Sequence, residues 1–190
     1  AKAWNDAKLK ISGSISEGGR REVRSAVAEG IPTAGQEHIG RKLHGYAVVF
    51  YDAADPGTEF RLGEGIVERV DSRAFDKTLL RNNDITAYFN HDPNLLLGRT
   101  FAKTLRVGQD SRGVFYMLQL DPESPTHQNV RAAVKRGDLA GGSFTFTIDR
   151  QRFIPATRKT PIIRILEDVN LIELGPVTTP AYKATTAEIH

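Results

Sequence analysis

The sequence predicts a mainly β protein with a few helices, in the α+β class. Segments rich in β-branched and aromatic residues recur along the chain, and most of them are separated by short polar turns. Only two segments have apolar residues at helical spacing. Because strands joined by short turns pair with their neighbours, this pattern favours an antiparallel barrel or sandwich over a fold built of βαβ units.

The predicted strands run through most of the chain, beginning with a short one over residues 20–28. The others cover residues 44–51, 60–69, 85–90, 95–99, 104–107, 114–120, 143–148, 161–166 and 169–174. Turn-forming residues, such as those at 52–57 and 109–113, separate them. Glu167 and Asp168 divide the last two strands, so we expect this acidic pair at the tip of a hairpin.

Two helices are predicted from their capping residues. Asp71 or Ser72 can cap a short first helix. Ser124 and Pro125 suit the N-cap and the first position of a second helix, and Gly137 suits its C-terminal end. The apolar stripe between these caps is the face that the second helix would bury.

A single folded domain is expected, because 190 residues are enough to bury a full hydrophobic core. We interpret residues 1–19 as a flexible N-terminal arm, residues 20–186 as the folded domain and residues 187–190 as a C-terminal tail. No apolar run approaches the roughly 20 residues of a membrane span, so the sequence predicts a soluble protein.

Composition and motifs exclude several classes of function. The chain has no Cys, which excludes disulfides, a thiol nucleophile and thiolate metal sites. The net charge of +3 is mild and the aromatic residues lie in apolar alternations, which disfavours nucleic-acid binding. The sequence also lacks a Gly-x-Ser-x-Gly elbow, a glycine-rich phosphate loop and a His-Glu-x-x-His helix. We therefore predict neither a metal nor a cofactor.

His91 is a candidate general base. It follows a predicted strand in which Ile85, Ala87 and Phe89 share an apolar face. Continued alternation would place His91 on that face, where both nitrogens of the imidazole need partners. The alternative is a core histidine whose hydrogen bonds are satisfied and whose role is structural.

Ser143 is a candidate nucleophile. It begins a predicted strand directly after Gly141 and Gly142, whose lack of side chains leaves room for a substrate carbonyl. A serine hydroxyl is a weak nucleophile at neutral pH and needs a general base. The alternative is a serine that only starts a strand, since Gly-Gly-Ser is also a common turn.

Glu173 is a candidate orienting acid. Alternation places it on the face of Val169 and Leu171, where an ionised carboxylate is costly unless it is paired or hydrogen-bonded. Accepting a hydrogen bond from a histidine N–H would satisfy it and would fix the tautomer that a general base requires. The alternative is a salt bridge to Arg or Lys.

Together these segments resemble the prohead (procapsid maturation) proteases of tailed bacteriophages, serine endopeptidases similar in fold to the herpesvirus assemblin proteases. The resemblance covers residues 22–182 and rests on the joint order and spacing of five groups of segments. They are Gly45-Tyr46-Ala47-Val48-Val49-Phe50, Ala74-Phe75, Phe89-Asn90-His91-Asp92 with Leu97-Gly98-Arg99, Gly137 to Ser143-Phe144 with Phe146, and Glu173 to Pro176-Val177 with Pro180-Ala181-Tyr182. The resemblance implies an antiparallel β-barrel of the assemblin and prohead-protease type.

The resemblance also implies the catalytic residues. The histidine of the family falls on His91 and its serine on Ser143, while Glu173 falls in the segment where an acidic third member is expected. The herpesvirus relatives use a second histidine after the serine, but the only later histidine here is His190.

Oxyanion and substrate binding are implied near the serine. Backbone N–H groups around Ser143, at Gly142 and Phe144, are the first candidates. Arg150 and Arg152 are further candidates, by analogy with an arginine-assisted oxyanion site in the relatives. Two departures from the family pattern are Ser72-Arg73 before Ala-Phe, and Gly142 where many relatives have Met.

The implied function is cleavage of the scaffolding segments of the phage capsid protein, and of the protease itself, during procapsid maturation. The implied partners are the major capsid protein and the chain itself. A homodimer is left open, and no membrane is expected as a partner. The implied location is the assembling procapsid in the host cytoplasm. Two alternatives remain, a catalytically silent scaffold or capsid-associated β domain and a basic nucleic-acid-binding barrel.

Overall fold

The computed structural model describes residues 41–190 except Glu64 and Asn82, and the fold is mainly β with few helices, as predicted. The arm over residues 1–19 and the strand predicted over residues 20–28 lie outside the described residues. In chain order the strands are β1 (Lys42–Val49), β2 (Glu59–Gly63), β3 (Ile66–Val70), β4 (Thr86–Tyr88), β5 (Leu96–Arg99), β6 (Leu105–Gln109), β7 (Gly113–Gln119), β8 (Gly141–Ile154), β9 (Ile162–Val177) and β10 (Glu188–Ile189). The helices are α1 (Asp76–Leu80) and α2 (Pro125–Arg136), and a 3-10 helix spans Pro56–Thr58.

The strands form two sheets. The first is antiparallel, with the strand order β10–β1–β7–β6. In the second, the order is β2–β3–β9–β4–β5, and β8 pairs with the other edge of β9. One edge of β9 pairs in parallel with β3 through residues 162–166 and with β4 through residues 173–174. The other pairings of this sheet, β2–β3, β4–β5 and β8–β9, are antiparallel. The prediction of an antiparallel fold is therefore wrong only for the pairings of β9 with β3 and β4, and the strands of the described part of the chain do not close into a barrel.

The β9 strand is continuous where the sequence predicted two strands and a hairpin tip at Glu167 and Asp168. Both carboxylates have cationic partners, so they can lie within a strand. Asp168, which is 5% exposed, is paired with Lys77 Nζ. Arg152 Nε donates to Glu167 Oε1 at 2.9 Å, and Arg150 Nε lies 3.1 Å from Glu167 Oε2 in an ion pair.

The strand predicted over residues 60–69 is instead a hairpin of β2 and β3. The chain turns between Gly63, with a φ of 149°, and Gly65, with a φ of 80°. Both values lie in the region that side chains disfavour, so glycine makes the turn possible. A single long strand was predicted because the apolar residues continue on both sides of this turn.

The helix caps are those that the sequence predicts for α2. Ser124 Oγ accepts the N–H of His127 at 3.4 Å, and Gly137 ends the helix with a φ of 81°. Val130 and Val134 are the buried residues of this helix. In the described part of the chain, no helix is long and apolar enough to cross a membrane.

The hydrophobic core joins side chains of both sheets and of α2 into one cluster. Its largest fully buried members are Tyr116, Phe75, Leu43, Leu97, Leu105, Leu118, Leu139, Leu166, Leu171, Leu174, Val48 and Val49. Phe144, from the start of β8, meets Phe75 edge-on with 5.7 Å between the ring centroids. The residue that follows Ser143 is thus anchored in the core.

Residues 187–190 belong to the first sheet, although the sequence predicted a tail. The strand β10 pairs with β1, and His190 N donates to Lys42 O at 2.9 Å. Ala187 is 5% exposed and its N–H donates to Ala140 O at 2.8 Å. Polar residues predict solvent exposure, but the backbone hydrogen bonds of an edge strand do not depend on which side chains it carries.

A buried hydrogen bond between Tyr182 and Glu68 gives a first prediction for stability. Glu68 is 4% exposed; Tyr182 Oη donates to its Oε1 at 2.7 Å, and Arg164 Nη1 lies 3.1 Å from its Oε2. Burial raises the pKa of Tyr182, so the hydroxyl keeps its proton and donates. Tyr182→Phe is expected to lower the free energy of unfolding by about 1–3 kcal/mol, because a buried acceptor loses its donor.

Denaturant unfolding of the Tyr182→Phe variant measures this effect. Tyr51→Phe is the matched control, because that ring is 38% exposed, and a change below about 0.5 kcal/mol is expected there. Equal losses of stability in the two variants would contradict the importance of the buried bond.

Candidate active site

Ser143 and Thr145 lie on one face of β8, close to its start. In the antiparallel pairing with β9, Ser143 is opposite Gly175 and Thr145 is opposite Glu173. Residues that are directly opposite in an antiparallel pair point to the same face. The side chains of Ser143, Thr145 and Glu173 therefore share a face of the second sheet.

A β-bulge turns Glu173 onto this face. Thr145 pairs with Glu173 but the next residue, Phe146, pairs with Leu171, so Ile172 has no partner in the ladder. Leu171 and Glu173 consequently point to opposite faces, and the prediction that they share one is wrong. Glu173 is nevertheless only 6% exposed, as predicted. Bulges commonly redirect a side chain beside a functional site.

His91 reaches the same face through a tight turn. The strand β4 ends at Tyr88, and Asn90 and His91 follow with left-handed φ values of 52° and 59°. The side chain of His91 is 40% exposed, so the prediction that alternation carries it onto the apolar face is also wrong. Its Nδ1 lies 2.5 Å from Glu173 Oε1.

Asn90 fastens this turn to the end of β9. Its N–H donates to Pro176 O at 3.1 Å, and its Oδ1 accepts from Thr178 N at 2.9 Å and from Thr178 Oγ1 at 3.3 Å. Asn tolerates a left-handed φ better than other non-glycine residues do. The sequence predicts no role for Asn90, although its position directly before His91 could have indicated that it helps to place the histidine.

Glu173 holds the imidazole of His91 and is itself held by Thr145. Its Oε1 accepts from His91 Nδ1 and from Thr145 Oγ1, and Thr145 Oγ1 lies 3.4 Å from His91 Nδ1. An ionised carboxylate only accepts hydrogen bonds, so Nδ1 carries the proton and Nε2 is left as the basic nitrogen. In the part of the chain that is described, no Lys or Arg is paired with Glu173, so the salt-bridge alternative is not realised there. Thr145, like Asn90, had no assigned role.

Ser143 is half-buried and lies two residues before Thr145, which corresponds to about 6.6 Å along a strand. Its hydroxyl makes no hydrogen bond to His91 within the described residues. Hydrogen bonds between a nucleophile and its base are often long before substrate binds. The serine therefore shares a face of the second sheet with Glu173 and lies two residues from Thr145, which donates to that carboxylate.

Gly142 packs directly against β1. A Cβ at this position would lie 3.0 Å from both Ala47 Cα and Tyr46 O, so the Met common in relatives has no room without backbone movement. The N–H of Gly142 donates to Thr185 Oγ1 at 3.1 Å. That donor is engaged within the protein, so Gly142 contributes here to the position of Ser143 rather than offering a free oxyanion donor.

Arg150 and Arg152 are not brought to Ser143. They lie seven and nine residues further along β8, which corresponds to roughly 23 Å and 30 Å in a strand. Both guanidinium groups are engaged by Glu167. The analogy that suggested them as oxyanion residues therefore fails, because β8 is longer than predicted and carries them away from the site. Within residues 41–190 as described, no group of three His, Cys, Asp or Glu side chains could hold a metal.

A serine, a histidine and a buried carboxylate on one face of a sheet are the constituents of a serine-peptidase site. The profile of one protein family, described as the caudovirus prohead serine protease, matches residues 30–190. The chain therefore belongs to this family, a group of bacteriophage serine proteases of capsid maturation. No protein with a curated description matches the chain significantly.

Proposed function

We propose that this chain is a serine endopeptidase in which Ser143 is the nucleophile, His91 the general base and Glu173 the orienting acid. The observation that carries the proposal is the 2.5 Å hydrogen bond between His91 Nδ1 and the buried Glu173, on the sheet face that also carries Ser143. This bond selects the tautomer in which Nε2 can accept a proton. Family membership supports the same reaction class.

The reaction is acyl transfer to water. His91 Nε2 takes the proton of Ser143 Oγ as the oxygen attacks the scissile carbonyl carbon, and Glu173 stabilises the imidazolium that forms. The imidazolium then donates its proton to the leaving amine as the peptide C–N bond breaks, which leaves an acyl ester on Ser143. Water, deprotonated by His91, hydrolyses the ester and restores the enzyme.

The proposed substrates are the scaffolding segments of the major capsid protein and the protease itself. The support is the role of the family in capsid maturation. Cleavage of this kind would take place inside the assembling procapsid in the host cytoplasm, and a homodimer is compatible with it.

A catalytically silent scaffold or capsid-associated domain is the second candidate. It is favoured by one observation, the lack of a hydrogen bond between Ser143 Oγ and His91 in the described residues. It is disfavoured by Glu173, since a buried carboxylate held against a histidine is costly and serves no purpose in a scaffold.

Incubation with the unprocessed major capsid protein of the same phage tests the proposed function. Wild type and Ser143→Ala are compared, with intact-mass spectrometry of both proteins after incubation. Discrete truncation of the capsid protein by wild type alone is the expected result. Intact capsid protein together with failure of a fluorophosphonate probe to label wild type at Ser143 would support the silent scaffold.

Thr145 gives a further prediction within the proposed mechanism. Thr145→Val removes the hydroxyl that donates to Glu173 Oε1 while keeping the shape of the side chain. We expect kcat to fall on the order of 10-fold with KM unchanged, because the orientation of His91 is loosened and substrate contacts are not. Thr147→Val, at the next exposed position on the same face, is the control and should keep wild-type kcat. A rise in KM at constant kcat would show that Thr145 contacts substrate instead.

A further inference from the structure

We propose that residues 178–185, here called the brace, position the base and the nucleophile relative to one another, with Thr178 and Thr185 as positioning residues. The inference rests on the proposed function of Ser143 and His91. It concerns how their separation is set, since the strand that carries Ser143 and the strand that precedes His91 are each paired with β9.

The need for such a device follows from the sheet order. Ser143 lies on β8 and His91 follows β4, and these two strands pair with opposite edges of β9. Neighbouring strands are about 4.8 Å apart, so β8 and β4 are roughly 10 Å apart with no hydrogen bonds between them. An error of 1 Å in the placement of catalytic groups can cost about 100-fold in rate. A direct link across the end of β9 would reduce such errors.

The first end of the brace holds the turn of the base. Both the N–H and the hydroxyl of Thr178 donate to Asn90 Oδ1, at 2.9 Å and 3.3 Å. Asn90 directly precedes His91 and shares its left-handed backbone conformation. A shift of Thr178 would therefore move the turn from which the imidazole projects.

The second end holds the strand of the nucleophile. Thr185 is 5% exposed, and its Oγ1 accepts the N–H of Gly142 at 3.1 Å while donating to Tyr182 O at 2.8 Å. The ring of Tyr182 also packs on Phe144, with 6.1 Å between centroids. The brace thus contacts both residues that flank Ser143.

The middle of the brace is fixed to the rest of the fold. Tyr182 is 3% exposed and donates to the buried Glu68, and Ala184 N donates to Gly57 O at 3.1 Å. Pro180 occupies the space beside Gly141, where a Cβ would lie 2.5 Å from Pro180 Cγ. Because the middle is anchored, its two ends present fixed partners to β8 and to the turn at His91.

The test measures acylation of Ser143 by a fluorophosphonate probe, in which the serine oxygen bonds to phosphorus and fluoride leaves. Thr178→Val and Thr185→Val each remove one hydroxyl with little change of shape. The control is Thr186→Val, because Thr186 Oγ1 accepts from Tyr46 N at 3.1 Å and so ties the neighbouring segment to β1 rather than to the site. Thr178→Ser and Thr185→Ser keep the hydroxyl group that the Val variants lack.

We expect both Val variants to lower the labelling rate at saturating probe about 10-fold or more, with the half-saturating concentration unchanged. The Ser variants should recover most of this rate, and Thr186→Val should label like wild type. The melting temperature of each variant is measured alongside. If Thr185→Val does not fold, the test rests on the variants of Thr178, because that residue is exposed.

The inference is overturned if both Val variants label at the rate of Thr186→Val, or if their lost rate is not recovered by the Ser variants. These results leave the proposed function intact, since wild type still labels at Ser143. Failure of the wild type to label at Ser143 would overturn the proposed function and the brace together. This outcome is distinguishable from failure of the brace alone, because it is seen in the wild type itself.

Discussion

Ser143→Ala is expected to abolish proteolysis while leaving the fold intact. Removal of a serine nucleophile lowers kcat by a factor on the order of 10⁶ in serine proteases, because no other group can form the acyl-enzyme. The fold should be unaffected, since the Ser143 hydroxyl bonds to neither His91 nor Glu173 in the described structure. Intact-mass analysis of the capsid substrate and denaturant unfolding of the variant measure the two effects.

Ser111→Ala is the matched control for this loss. Ser111 is an exposed serine in the turn between β6 and β7, and its replacement should change neither cleavage nor stability. Cleavage at the wild-type rate by Ser143→Ala would show that a different residue is the nucleophile, and the assignment of the site would then fail.

Glu173→Gln is expected to have the second-largest effect, a loss in kcat of roughly 10²–10⁴-fold. The amide keeps the size of the carboxylate but can donate a hydrogen bond to His91 Nδ1. Donation to Nδ1 places the imidazole proton on Nε2, which then cannot accept the proton of Ser143. Single-turnover cleavage at saturating substrate measures this loss without a contribution from binding.

Glu167→Gln distinguishes this effect from a general change of charge. Glu167 is also a carboxylate of β9, but its partners are Arg150 and Arg152, far from Ser143. The Glu167→Gln variant should retain wild-type turnover. Wild-type turnover by Glu173→Gln would remove Glu173 from the mechanism. An equal loss of turnover in both variants would show that the substitutions disturb the second sheet, and the tautomer of His91 would then not be the cause.

The parts of the fold that could be predicted from the sequence depend on local interactions. The caps of α2 are an example, because Ser124 and Gly137 act on backbone groups within a few residues of themselves. The continuity of β9 could not be predicted, because the buried Asp168 is paired within the strand with Lys77, which lies 91 positions away in the chain. The parallel pairing of β9 with β3 and β4 depends in the same way on distant partners.

The candidate site shows the same limit more sharply. Alternation placed His91 and Glu173 together on the apolar face, yet a left-handed turn and a β-bulge move both to the opposite face. The expected hydrogen bond between them is found because both residues are displaced in the same sense. The requirement that a buried carboxylate find a donor was thus a better guide than strand alternation, which assumes unbroken strands.

The order of the elements along the chain has a consequence for when the candidate site can form. The strands β3 and β4 pair with β9 and not with each other, so their places in the second sheet depend on residues 162–177 having been synthesised. His91 precedes both Glu173 and the brace in the sequence. A nascent chain that has not reached Glu173 therefore carries the proposed base without the acid proposed to orient it.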